Sequence, residues 1–88
     1  MLEKTIERSH AKMVNKLGIS YKFVSPGVNG VPDRIHLRPI PKEHQEIVAK
    51  YIQFIEFKRK GKKPESHQHR EHARIRELGF TVKVVDTL

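Results

Sequence analysis

The chain has 88 residues, no cysteine and a formal net charge of +8, and its length predicts one small domain. The composition excludes disulfides and thiolate metal sites. Since no apolar run approaches the roughly 18 residues of a membrane span and no signal-peptide pattern follows Met1, we expect a cytoplasmic protein without a membrane partner. So large a positive charge favours an acidic partner, with nucleic acid ahead of an anionic membrane, although it could also serve solubility alone.

The first predicted element is a helix over residues 2–17. Apolar residues recur there at helical spacing and form one stripe, and Gly18 follows where a C′ glycine often ends a helix. A helix of this kind packs its apolar stripe against the core. The stripe consists of Leu2, Ile6, Met13, Val14 and Leu17.

Two strands follow this helix. Residues 19–25 are rich in β-branched and aromatic types and lead into Pro26, a pattern typical of a strand. A loop rich in glycine, proline and asparagine covers residues 26–32. Alternating apolar and polar residues across 34–40 then indicate a half-buried strand that ends among prolines.

The second half predicts a polar connection around 41–46 and a strand over 47–57 whose later part is apolar at both odd and even positions, as in a central strand covered on both faces. A basic loop over 58–65, a helix over 66–78 and a strand over 80–85 complete the chain. The element order is therefore α-β-β-β-α-β, in one domain without an internal repeat.

The chemistry centres on Asp33, Glu56 and Lys58. Glu56 and Lys58 are two residues apart at the end of a strand and so point to the same face, although a plain surface ion pair has the same spacing. Asp33 begins the preceding strand, and a hairpin between the two strands would bring Asp33 and Glu56 together. Paired carboxylates suit Mg²⁺ or Mn²⁺ with substrate phosphate, and a neighbouring lysine can polarise water or neutralise developing charge. This arrangement favours metal-dependent phosphodiester hydrolysis.

Pro32-Asp33 followed by Glu56-Phe57-Lys58 resembles the signature of the PD-(D/E)xK nuclease superfamily, whose core has the same element order. More narrowly, four segments resemble the stand-alone phage VRR-NUC endonucleases, although the Val-Arg-Arg tripeptide that names that family is absent. They are Glu3-x-x-Ile6-Glu7, Gly30-Val31-Pro32-Asp33-Arg34, Glu56-Phe57-Lys58 and Gln68. The resemblance spans nearly the whole chain and implies an α/β (α+β) restriction-endonuclease-like domain with a mixed central sheet flanked by helices.

The resemblance also implies residue roles. Asp33, Glu56 and the backbone carbonyl of Phe57 would bind the metal, Lys58 would activate or orient the attacking water, and Gln68 would position the lysine or the water. A glutamate of the first helix would complete the site. Glu3 holds the family's position and lies closer to the apolar stripe than Glu7 does, so we expect Glu3, with Glu7 as the alternative.

Substrate and assembly follow from the same resemblance. It implies a homodimer that hydrolyses branched DNA, including Holliday junctions, and that needs no small-molecule cofactor. Cations next to the predicted site would contact phosphate: Arg34, Arg59, Lys60, Lys62 and Lys63. A zinc site among His67, His69 and His72 is conceivable but disfavoured, because the side chains of His67 and His69 lie on different faces of the predicted helix. The alternatives are a non-catalytic nucleic-acid-binding module and, more weakly, a small protein that binds an acidic protein partner.

Overall fold

The helices and strands fall into two compact units, residues 1–38 and 39–88. The structure is a computed structural model and describes residues 2–24 and 27–87. No helix of this described part combines the length and the hydrophobicity that crossing a membrane requires. Each unit has its own small sheet: β1 pairs with β2 in the first, and β3 pairs with β4 in the second.

The first unit is a helix packed on an antiparallel pair. Helix α1 runs Glu3–Val14, and strands β1 (Ile19–Lys22) and β2 (Arg34–Leu37) align so that Ile19 lies opposite Leu37. Its buried apolar side chains come from all three elements and form a minimal core. They are Ala11, Val14, Ile19 and Leu37.

The predicted apolar stripe of α1 is not the face that packs. Four of its five members are exposed, Leu2 and Leu17 by 77% and 80%, and only Val14 is buried. The buried face of α1 instead carries Ala11 and Val14. The small side chain of Ala11 lets the helix approach the β1–β2 sheet closely, so the packed face is rotated away from the larger apolar residues. The helix also ends three residues before the predicted position.

The turn between α1 and β1 uses Gly18 for close contact. A β-carbon at Gly18 would lie against the backbone carbonyl of Leu37, 3.2 Å from its carbonyl carbon and 3.3 Å from the α-carbon of Arg38. Strand β1 is shorter than predicted, since it ends at Lys22. Residue 25 of the predicted strand and residue 26 of the predicted loop lie outside the described part.

The second unit is a β-α-β arrangement preceded by an extra helix. Helix α2 (Lys42–Ala49) leads to β3 (Gln53–Phe57), and α3 (Ser66–Glu77) leads to β4 (Thr81–Val85). A parallel pair needs a crossover connection, which α3 provides between β3 and β4. Ile75 and Val82 are its buried apolar residues among those described, and Phe54 packs edge-on against Phe80.

Helix α2 corrects the prediction of a polar connection followed by a strand from residue 47. Its sequence, KEHQEIVA, is dominated by good helix formers, and this preference prevails over the β-branched pair Ile47 and Val48. The predicted hairpin between β2 and β3 is therefore wrong, because a helix connects them. The expectation that β3 is covered on both faces is also wrong, since alternate residues of β3 are exposed and Phe57 is exposed by 72%. The α+β class is confirmed, with two two-stranded sheets in place of one mixed sheet.

Candidate functional site

In the first unit, Asp33 lies at the open end of the β1–β2 pair. Its backbone carbonyl accepts a hydrogen bond from the Phe23 amide at 2.8 Å, which extends the strand pairing beyond β2 and fixes the backbone there. Its side chain is exposed. No hydrogen bond or ion pair to that carboxylate is observed within residues 2–24 and 27–87, so its charge is available to a ligand.

Glu7 has the opposite environment. Arg34 Nε donates to Glu7 Oε2 at 2.6 Å, and Lys22 Nζ donates to the same oxygen at 3.1 Å. Only 18% of the Glu7 side chain is exposed. The hydrogen bonds from Arg34 and then Lys22 hold the pKa of the Glu7 carboxyl below its usual value, against the opposing effect of burial. The ion pair with Glu7 also restrains Arg34, whose Nη1 donates to Ser20 Oγ at 3.4 Å.

The predicted acids of this unit line one cavity of about 490 Å³. Glu3, Glu7, Asp33 and Arg34 contribute to it, so four of the charged residues predicted for the site or its DNA contacts line the same cavity. Three further residues line the same cavity: Ile6, His10 and His36. The sequence patterns did not single out His10 or His36, because neither belongs to a recognisable motif.

The expected orientation of the two helix glutamates is reversed. Glu7, one turn before Ala11, is on the packed face of α1, whereas Glu3 is exposed at the start of the helix. The expectation that Glu3 lies closer than Glu7 to the packed face of the helix is therefore wrong, because the apolar stripe is not the face that packs. The carboxylate of Glu3 nevertheless has no hydrogen-bonding partner in the described part of the chain, while that of Glu7 is held by two cations.

In the second unit, β3 directs Glu56 and Phe57 to opposite faces. Glu56 Oε1 lies 3.3 Å from His72 Nε2 on α3, and 29% of the Glu56 side chain stays exposed. His72 is one of the two buried polar residues among those described, with 7% of its surface exposed. In the sequence, His72 was considered only as one of three histidines for a zinc site. It precedes Ile75 by three residues and so lies on the same face of α3, and this spacing is the signal that could have predicted its burial.

The loop after β3 frames a basic groove of about 320 Å³. Gly61 adopts a φ of 80° there, and its amide donates to Asp86 Oδ2 at 3.3 Å, which ties the loop to the end of β4. Lys60 is exposed in the same loop but does not line the groove. The lining residues are Phe57, Lys58, Arg59, Lys62, Lys63 and Glu65. Four of the six are cations, so the groove suits an anion.

Gln68 has a structural task at the start of α3. Its Oε1 accepts a hydrogen bond from the Glu65 amide at 2.9 Å, as the third helical residue does in a capping box. His67 and His69 are exposed on the same helix. Within each unit, no three aspartate, glutamate or histidine side chains of the described residues group to hold a metal ion.

A comparison with known proteins identifies a relative. The chain is 45% identical over 86 residues to the protein named "Putative nuclease p44" of Acyrthosiphon pisum secondary endosymbiont phage 1, an alignment that covers 97% of this chain and 83% of that protein. No family model matches the chain. No solved structure matches it either. Since the identity is high and extends over most of both proteins, the chain belongs to the same family as this phage protein.

Proposed function

We propose that this chain is a nuclease that hydrolyses phosphodiester bonds of DNA with the help of Mg²⁺ or Mn²⁺. The observation that carries the proposal is the 45% identity, over 97% of the chain, to a phage protein whose name is that of a nuclease. The basic groove after β3 and the cavity that contains Asp33 support it, because a nuclease needs both cations for phosphate and carboxylates for a metal.

The proposed ligands have the chemistry that a hard divalent cation prefers. Asp33 and Glu56 are the proposed ligands together with the backbone carbonyl of Phe57, and all three offer oxygen, which Mg²⁺ and Mn²⁺ prefer. The Asp33 carboxylate has no competing partner among the described residues, and that of Glu56 stays partly exposed. When bound, the cation supplies Lewis-acid polarisation of the phosphate and a water of lowered pKa.

The remaining groups act on substrate and water. Lys58 lines the basic groove directly after β3, where its ammonium can orient the attacking water or neutralise charge that develops on the phosphate oxygens. Glu3 is the proposed helix glutamate, because its carboxylate is available and Glu7 is bound by Arg34 and Lys22. Gln68 would position Lys58 or the water in addition to capping α3.

DNA contacts are assigned to the cations of both units. Arg59, Lys60, Lys62 and Lys63 of the basic loop and Arg34 beside Asp33 would bind phosphates, a sequence-independent mode that suits recognition of DNA shape. The specific proposal is a homodimer of the VRR-NUC type within the PD-(D/E)xK superfamily, which cuts branched DNA, including Holliday junctions. Two copies would place one active site on each of two strands.

The test is cleavage of a labelled DNA panel by purified protein. Four-way junction, flap, single-stranded and duplex DNA are incubated with Mg²⁺, Mn²⁺ or EDTA, and the oligomeric state is measured by light scattering. We expect metal-dependent cleavage with a preference for branched DNA. Absence of metal-dependent cleavage on every substrate would refute the proposal.

Single substitutions separate catalysis from binding. Asp33→Asn and Lys58→Ala should abolish cleavage while DNA affinity stays close to that of the native protein. Glu46→Gln is the matched control for Asp33→Asn, because it also converts an exposed carboxylate to an amide but lies on α2. If the protein instead binds DNA equally well with metal or EDTA, and no cleavage occurs, it is the non-catalytic nucleic-acid-binding module.

A further inference from the structure

We propose that His72 is a positioning residue that holds the Glu56 carboxylate in the orientation required to bind the catalytic cation. The inference rests on the proposed function, since it takes Glu56 as a metal ligand. It assigns a role to the buried His72, which the basic groove does not involve.

The contact is built by the fold of the second unit. His72 and Ile75 are the buried residues of α3, so the helix face that packs also presents the His72 ring. Glu56 stands opposite Val84 in the parallel β3–β4 pair, with its side chain on the alternate face from Phe57. The two side chains meet at 3.3 Å, where 8% of the His72 side chain and 29% of the Glu56 side chain are exposed.

The hydrogen-bond partners determine where the His72 proton lies. An ionised carboxylate only accepts hydrogen bonds, so the ring nitrogen that faces Glu56 Oε1 must be the donor. The other ring nitrogen, Nδ1, is buried and finds no partner among the described residues. The inference therefore assigns a proton to Nε2, which donates it to Glu56 Oε1.

The two oxygens of Glu56 therefore have different partners in this proposal. Oε1 is held by His72, so rotation about the last side-chain bond is restricted and Oε2 is left for the cation. Hydrogen bonds that orient a ligating carboxylate commonly change metal affinity or activity by about 10–100-fold when they are removed. A carboxylate free to rotate would bind the same cation more weakly.

Stability and metal affinity together distinguish a positioning role from a purely structural one. A buried ring nitrogen without a partner is unfavourable, and an apolar side chain of similar volume would remove that cost. His72→Leu should therefore keep or raise the thermal stability of the protein. If His72 served only packing, nothing else would change in this variant.

The test compares His72→Leu, His72→Gln and the control His44→Leu, which lies on an exposed position of α2. Titration calorimetry measures Mn²⁺ affinity, and thermal denaturation measures stability. We expect His72→Leu to weaken Mn²⁺ binding about 10–100-fold without a loss of stability. His72→Gln should recover most of the affinity, because its amide nitrogen can donate from a position near that of Nε2. His44→Leu should match the native protein.

Nuclear magnetic resonance of the metal-free native protein tests the contact by itself. Long-range proton–nitrogen spectra should show the His72 proton on Nε2, and Glu56→Gln should shift that nitrogen's resonance. A ring without a proton on Nε2 overturns the inference, as does native-like Mn²⁺ affinity in His72→Leu when the native protein binds the metal and cleaves DNA. A native protein that binds no Mn²⁺ overturns the proposed metal-dependent function and this inference together.

Discussion

The basic groove after β3 makes a quantitative prediction about DNA binding. Three of its cations are free of any proposed catalytic role, and we consider replacing all of them with serine: Arg59, Lys62 and Lys63. If each contacts one phosphate, the variant releases three fewer counterions on binding. The logarithm of the association constant falls with the logarithm of salt concentration by about 0.9 per phosphate contact on duplex DNA, so the slope should become shallower by about 2.7.

This change in slope can be converted to affinities. Between about 50 and about 200 mM salt, a slope difference of about 2.7 corresponds to a factor of about 40. The advantage of the native protein over the triple variant should therefore shrink about 40-fold across that range. Fluorescence anisotropy with labelled junction and duplex DNA, in EDTA to prevent cleavage, measures both binding constants.

The control has to remove the same charge from another place. Three exposed lysines outside the groove serve this purpose when they are replaced with serine: Lys42, Lys50 and Lys83. Both triple variants lose three positive charges from a formal +8, so net charge alone predicts the same slope for each. Equal slopes in the two variants would refute the assignment of the groove as the phosphate-binding surface.

Three further outcomes are measured by thermal denaturation. Glu7→Gln should lower the stability of the protein at neutral pH but not in acid. The lowered pKa of the Glu7 carboxyl gives a stabilisation that is complete above the ordinary glutamate pKa and is lost as the pH falls through the pKa of the folded protein. A stability difference between variant and native protein that does not depend on pH contradicts this. Gly18→Ala forces a β-carbon into the backbone of β2 and should cost about 1–3 kcal/mol, or about 4–8 °C for each kcal/mol, whereas Gly27→Ala meets nothing within 4 Å and should not differ from the native protein. Gln68→Ala removes the hydrogen bond from the Glu65 backbone amide and should lower stability by about 0.5–1.5 kcal/mol, whereas Gln68→Glu keeps that bond. Unequal cleavage by Gln68→Glu and the native protein at equal stability would show that the side-chain amide of Gln68 has a catalytic role as well.

Local patterns predicted the elements with a strong periodic or turn signal. The second long helix was expected over 66–78 and is observed as Ser66–Glu77, and Gly79, which ends it, has the φ of 104° that favours glycine. The last strand was predicted over 80–85 and is observed as Thr81–Val85. In contrast, α2 was missed because Ile47 and Val48 suggest a strand, while the helix preference is spread over several polar residues.

The face of a helix is harder to predict than the helix itself. In α1 the larger apolar residues mark one face, yet the face that packs is the one where Ala11 allows close approach. Composition also gives no direct signal that Glu7 would find Lys22 and Arg34, which come from β1 and β2, 15 and 27 residues away along the chain. Such pairs depend on strand register, and the pairing of Lys22 with Arg34 across the β1–β2 ladder is set by the fold.

The four acids proposed for the site or considered for it differ in what already binds them, and this difference assigns their roles. Glu7 is held by two cations, so binding a metal there would require those contacts to be broken. Glu56 contacts His72 through one oxygen, Oε1, and its side chain stays partly exposed. Asp33 and Glu3 have no hydrogen-bonding partner among the described residues. The contacts therefore leave the carboxylates of Asp33, Glu56 and Glu3 able to bind a ligand, as the proposed function requires of them. They favour Glu7 as the residue that fixes Arg34 beside it.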